Sequence, residues 1–248
     1  MKASRRKAGS YLLLTISLRL QPVARVSTCY PDKFGAPRQS GLVPDARARL
    51  VFEPPFRHPD AVRGLEGFSH LWLVWVFSEN VDKGWSPTVR PPRLGGNVRM
   101  GVFATRAPFR PNPIGLSAVR LERVELHPLD GPVLHLSGVD LVDGTPILDI
   151  KPYVPLADCI PEASEGFTAV PYERLDVEIP ESFGGSMSPE ERSALEDTLS
   201  LDPRPQYQDD PKRVYGLSFS GWEVKFKVEE KRLRVLSLER RRSGSGLF

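Results

Sequence analysis

Three segments of this sequence combine residue types that can do chemistry. The densest is Val102-Phe103-Ala104-Thr105-Arg106-Ala107-Pro108-Phe109-Arg110-Pro111-Asn112-Pro113-Ile114-Gly115-Leu116. Three prolines in six residues stiffen this loop, and Arg106 and Arg110 project from it. A rigid loop holding two guanidiniums meets a carboxylate or phosphate bidentately with little entropy to lose. The same residues also suit a proline-stiffened hairpin whose arginines pair with surface acids. The second segment, Lys33-Phe34-Gly35-Ala36-Pro37-Arg38-Gln39, is a polar loop whose Arg and Gln suit a carboxylate or a base edge. The third runs from Gly138 to Tyr153 and carries Asp140, Asp143 and Asp149, acceptors for a ligand amine or hydroxyl. No His lies near these acids and the EF-hand spacing is missing, so we expect no metal. His58, His70, His127 and His135 are scattered, and nucleophile-elbow and HExxH motifs are absent, which excludes acyl transfer and zinc hydrolysis.

These loops need strands to hold them. Short extended stretches are expected at 23–26 and 48–52, and residues 71–77 form a continuous aromatic and β-branched run, as in a strand buried on both faces. Residues 98–103 and 117–126 alternate apolar with polar or charged, and 133–139 and 147–150 follow Asp-Gly turns. About seven strands without βαβ alternation give a mainly β fold, an antiparallel barrel. A small C-terminal α+β domain follows. Its helix opens at Ser188-Pro189-Glu190-Glu191 with N-cap, N1 proline and capping-box glutamate, and runs to about Leu201. Strands are then expected at 214–219, 222–228 and 233–238. The domain map is a basic extension (1–20), a barrel (21–170), a linker (171–186), the α+β domain (187–240) and a disordered tail (241–248).

The chain's 248 residues include 25 prolines, which favour short strands and stiff turns over long helices. No window reaches a membrane span. Cys29 and Cys159 form neither a disulfide framework nor a zinc site, and a reducing, cytoplasmic setting fits them. Arg19 interrupts the N-terminal apolar run after eight residues, so we read a basic start rather than a signal peptide. The net charge of +3 is unevenly spread: five bases without an acid over 1–20, twelve acids against two bases over 156–203, and eight bases against three acids over 225–242. Basic ends around an acidic waist suit a polyanion such as nucleic acid, or simply a solvated surface.

The loops at 33–39, 102–112 and 143–153, with Gly67-Phe68-Ser69-His70-Leu71-Trp72, resemble the TsaA/YaeB (TrmO) family over about residues 22–170. Asp202-Pro203-Arg204-Pro205 and Val214-Tyr215-Gly216 resemble the C-terminal domain of its bacterial members. The resemblance implies a homodimeric β-barrel enzyme that uses S-adenosylmethionine to methylate N6 of threonylcarbamoyladenosine at position 37 of tRNA. It assigns cofactor contacts to Pro37, Arg38, Gln39, Ser78, Glu79, Arg106, Leu116, Asp143, Gly144, Thr145 and Pro146. An Arg suits the methionine carboxylate, an acid the ribose hydroxyls or ammonium, and Leu116 the adenine face. Relatives often carry His where this chain has Ser78. The acylated N6 is a poor nucleophile but a stronger acid than adenine's amine, so a base helps. Asp140 or Asp149 would serve, with Lys151 and Tyr153 as orienting groups, or all four pair structurally at the barrel end. RNA contacts are expected from Arg110, Asn112, Arg204, Arg213 and the basic strands after Trp222. Removing 187–248 is then expected to abolish tRNA methylation while the barrel keeps its cofactor. A non-catalytic RNA- or nucleotide-binding barrel and a small-molecule methyltransferase are the competing readings.

Overall fold

The computed structural model describes residues 19–204 and 210–241. The basic start up to residue 18, Pro205 and the tail from 242 therefore lie outside the described residues. Six strands close an antiparallel barrel: β1 (Ala24–Thr28), β2 (Ala48–Phe52), β3 (His70–Val76), β6 (Ile114–His127), β7 (Gly131–Ser137) and β8 (Pro146–Pro152), in the order β1-β2-β7-β6-β3-β8. Alternation aims Val26, Leu50, Leu71, Leu73, Val119, Leu134, Leu136 and Ile147 into one core, each at most 1% exposed.

Two sequence expectations about the barrel need correction. The barrel has six strands, not about seven. Residues 98–103 contribute only β5 (Met100–Gly101), which pairs outside the barrel with β4 (Thr88–Val89), and then a 3-10 turn over Val102–Ala104. Gly101 weakens this stretch as a strand, and the 3-10 turn that starts at Val102 ends it. Nor is β3 buried on both faces. Leu71 and Leu73 are sealed, whereas Trp72, Val74 and Trp75 are partly exposed, because an antiparallel barrel leaves its outer face to solvent.

In the second unit, α2 (Pro189–Ser200) is capped reciprocally, with Glu191 N donating to Ser188 Oγ and Ser188 N to the Glu191 carboxylate. The expected three strands appear as β10 (Tyr215–Phe219), β11 (Trp222–Glu229) and β12 (Arg232–Arg240). A fourth, β9 (Asp176–Glu178), joins the sheet parallel to β12 from within the stretch read as linker. Three residues with a single apolar side chain carry no periodic signal, so sequence reading passes over it. The only other α-helix among the described residues, α1 (Pro155–Asp158), is one turn long. No described helix is long and apolar enough to cross a membrane.

Candidate functional site

Three loops and a turn meet at one end of the barrel. The loop after β1 reaches the 3-10 turn that follows β3, where Lys33 Nζ donates to Asn80 Oδ1 at 2.9 Å and pairs with Glu79 Oε2 at 2.5 Å. Arg106, from the proline-rich loop before β6, donates to Gln39 Oε1 at 2.5 Å. The turn before β8 is tied to the end of β1: Thr28 N donates to Asp143 Oδ1 at 2.9 Å and Asp143 N to Tyr30 O at 2.8 Å. Thr145 closes that turn by donating to Val142 O. Antiparallel register places the end of β3 beside the starts of β6 and β8, through Val76↔Ile114 and Trp75↔Ile147. Pro37, Arg38, Gln39, Ser78, Glu79, Arg106, Asp143, Gly144, Thr145 and Pro146 thus lie on these neighbouring loops. Leu116, half-exposed, stands on β6 at the same end.

Inside this rim sits Asp140. Its Oδ1 is sealed from solvent and has no hydrogen-bond partner. Burial pushes its carboxyl above the ordinary carboxylate range, opposed by hydrogen bonds from the Ser117 side chain and the Ser40 backbone and, more weakly, by Arg106. Ser117 also accepts from Trp75 Nε1 at 3.0 Å. The indole lies so close over Gly115 that a Cβ there would come within 2.3 Å of it. Sequence reading missed Ser117, Trp75 and Gly115. The legible signal was a glycine inside an alternating strand, which marks close approach.

Of the other three residues expected to be catalytic, Lys151 and Tyr153 are not brought here, whereas Asp149 stands in register with Val74 and so one strand from Leu116. Asp149 and Lys151, two apart on β8, pair with each other at 2.8 Å. Tyr153 lies against Trp72 and His70, and its N–H donates to His70 O. His70 is five residues along β3 from Trp75, or about 17 Å at the usual rise. Lys151 and Tyr153 therefore flank the opposite end of the barrel.

The expected RNA contacts also sort themselves. Arg110 Nη1 donates to Val102 O at 3.0 Å and Thr105 O at 2.7 Å, stapling its own loop. Asn112, exposed, accepts from Ile114 N through its carbonyl. Arg204 is largely buried, bidentate to Asp202 at 2.8 and 2.9 Å, which makes it a brace of the fold. Arg213 lies over the Tyr215 ring, 5.4 Å from its centroid. On the outer face of the C-terminal sheet, Lys227 and Arg234 are cross-strand partners, with Lys225 on the same face. Among the described residues, no group of three or more His, Cys, Asp or Glu side chains is arranged to hold a metal ion.

Residues 25–159 match the family model of the tRNA-methyltransferase O N-terminal domain, and residues 173–241 that of the TrmO C-terminal domain. The chain belongs to the TrmO family. A relative from Escherichia coli (strain K12), named tRNA (adenine(37)-N6)-methyltransferase, is 41% identical over 234 residues, covering 91% of this chain and 99% of that protein. One of the same name from Eikenella corrodens is 51% identical over 164 residues, 66% of this chain and 92% of the relative. A crystal structure of TrmO from Pseudomonas aeruginosa superimposes with a TM-score of 0.74 at 35% identity, covering 90% of this chain and 98% of that one. The TrmO family fold extends over both units, and the loop constellation described above falls in its N-terminal domain.

Proposed function

We propose that this chain is an S-adenosylmethionine-dependent tRNA methyltransferase that acts on N6 of adenosine 37, with N6-threonylcarbamoyladenosine as the nucleoside it modifies. Relatives named tRNA (adenine(37)-N6)-methyltransferase support the reaction, and others are named S-adenosylmethionine-dependent methyltransferases. The observation that carries the reading is the convergence of Arg106, Gln39 and a buried, half-satisfied Asp140 at one barrel end.

The residues present fit S-adenosylmethionine. Arg38 and Arg106 suit its carboxylate, Glu79 the ammonium or ribose hydroxyls, the exposed face of Leu116 the adenine, and the 143–146 turn closes the side. Once bound, the cofactor supplies an electrophilic methyl group to an in-line nitrogen. The protein's part is to hold the rim rigid and to take a proton. Gln39 fixes Arg106, and the prolines around Arg110 fix the loop that carries both arginines. Asp140, at the rim near Arg106, is our candidate to take the N6 proton, and its raised pKa makes it a stronger base than an exposed carboxylate. Proton removal matters most for an N6 already acylated by a carbamoyl group, which supports the threonylcarbamoyl nucleoside as substrate. Asp149, engaged by Lys151, is no longer our candidate base.

We assign the RNA grip to Arg213, Asn112 and the Lys225 and Lys227 face, since Arg110, Arg204 and Arg234 are engaged within the fold, Arg234 with Glu178 at 3.4 Å. We also propose a homodimer acting in the cytoplasm; exposed Phe103, Ile114 and Leu116 leave apolar surface at the site for a second chain or the cofactor to cover. Incubation with labelled S-adenosylmethionine and tRNA, with and without the threonylcarbamoyl group, tests the reading. Label is expected only in the modified tRNA. Equal labelling of both tRNAs removes the specific substrate, and labelling of neither removes the activity.

A further inference from the structure

The loop proposed to hold the cofactor is gripped from behind by the C-terminal unit. Tyr30, the second residue after β1, is 1% exposed, and its ring meets Phe219 edge-on with centroids 5.7 Å apart. Its hydroxyl lies 3.1 Å from Thr198 Oγ1, and Thr198 in turn donates to Ala194 O. Thr198 has spent its proton, so Tyr30 is the donor. Burial pushes the phenol's pKa upward and keeps that proton in place. Ser220 N donates to Cys29 O at 2.8 Å. Five residues beyond Tyr30, Gly35 takes φ +100° and approaches Leu217 so closely that a Cβ would lie 2.2 Å from its Cδ1. Phe34 and Ala36 pack on the same core. Beyond the loop, Ser193 donates to Asp45 and Arg174 to Leu42 O. The far side of the loop is tied through Lys33 to Glu79 and Asn80, and its end through Gln39 to Arg106.

We propose that Tyr30, Gly35 and Leu217 are positioning residues through which the C-terminal unit sets the conformation of the 33–39 loop, and hence the affinity for S-adenosylmethionine. The proposal rests on the cofactor reading given above. It revises the expectation that the barrel keeps its cofactor when residues 187–248 are removed. Without that unit Tyr30 loses Phe219 and Thr198 and Gly35 loses Leu217, and a loop anchored at one side must be ordered by the ligand itself. The interface is also specific in its geometry. Only glycine supplies both the left-handed backbone and the space that Leu217 fills.

The test uses the full-length chain and three readouts: cofactor affinity by calorimetry, tRNA affinity by gel shift, and melting temperature. The wild type is expected to bind S-adenosylmethionine; if it does not, the cofactor reading fails and this proposal with it, before any variant is compared. Gly35→Ala is expected to weaken cofactor binding at least fivefold while tRNA affinity stays within twofold. Tyr30→Phe keeps the ring and leaves Thr198 satisfied by Ala194, so it should fold even if Gly35→Ala does not, with an expected threefold or greater loss of cofactor affinity. Phe226→Leu, in the sheet's core where the ring stacks on Tyr215, should lower the melting temperature and leave cofactor affinity unchanged. The proposal is overturned if Gly35→Ala and Tyr30→Phe both bind the cofactor within twofold of wild type. It also falls if Phe226→Leu weakens cofactor binding as much as Gly35→Ala.

Discussion

Replacing Asp140 by asparagine separates what the site does from what it costs the fold. The carboxylate is buried with one oxygen unpartnered, and its pKa is raised, with desolvation the largest cause. An unsatisfied buried polar group costs about 1–3 kcal/mol, more when charged. The amide drops the charge and still accepts the hydrogen bond from Ser117. We therefore expect Asp140→Asn to be more stable than wild type at neutral pH by at least about 1 kcal/mol, or roughly 2–4 °C in melting temperature for a chain of this size. The sign follows from linkage. A carboxyl whose pKa is higher folded than unfolded favours the fold most below the unfolded value of about 3.9, and that advantage fades as pH rises through the folded value. The gain from Asp140→Asn should thus be largest at neutral pH and vanish at about pH 4. Activity should move the other way. Loss of a general base lowers a rate by about 10²–10⁴-fold. In wild type the single-turnover rate should climb about tenfold per pH unit below the folded pKa, and Asp140→Asn should abolish that slope. Single-turnover methylation of threonylcarbamoyl-modified tRNA at saturating cofactor, alongside thermal melts from pH 4 to 8, measures both. A variant within threefold of the wild-type rate, or one less stable than wild type at pH 7, would refute the reasoning.

Arg106→Ala should weaken cofactor binding by roughly ten- to a hundredfold, the equivalent of one charge-assisted hydrogen bond; unchanged affinity in calorimetry would remove Arg106 from the site. Gly115→Ala forces the Trp75 indole aside and breaks its bond to Ser117, so overpacking and the lost hydrogen bond together should lower stability by about 2–4 kcal/mol, read by urea unfolding and a shift in tryptophan emission. Arg110→Ala removes two donations from one guanidinium nitrogen to loop carbonyls and should loosen the loop, weakening cofactor binding in calorimetry. Saturating chelator should leave methylation unchanged; a chelator-sensitive rate that added metal restores would contradict the absence of metal ligands in our reading.

Much of this protein is written in windows of a few residues. The capping box at Ser188 and Glu191 formed as the spacing predicts, and the alternation from Ser117 to Leu126 lies within β6. Loops 33–39 and 102–113 stood out because prolines and guanidiniums occur together there, and that combination is a local property. The sequence therefore determined the strand-rich class, the C-terminal helix and the identity of the loops that carry chemistry. Tertiary structure decided which of the candidate acids is special. Asp140 and Asp149 look alike in sequence, but the strand register and the path of the 138–145 loop seal one at the rim beside Ser117 and leave the other paired with Lys151. It also decided that Arg204 braces and Arg110 staples, and that β9 completes a sheet from a stretch without periodicity. Above all it set the C-terminal unit against Tyr30 and Gly35, 160 or more residues away in the chain. Local pattern fixes the conformation each segment prefers. Burial, charge pairing and anchoring depend on which segments meet, and that is set only when the barrel closes and the second unit packs onto it.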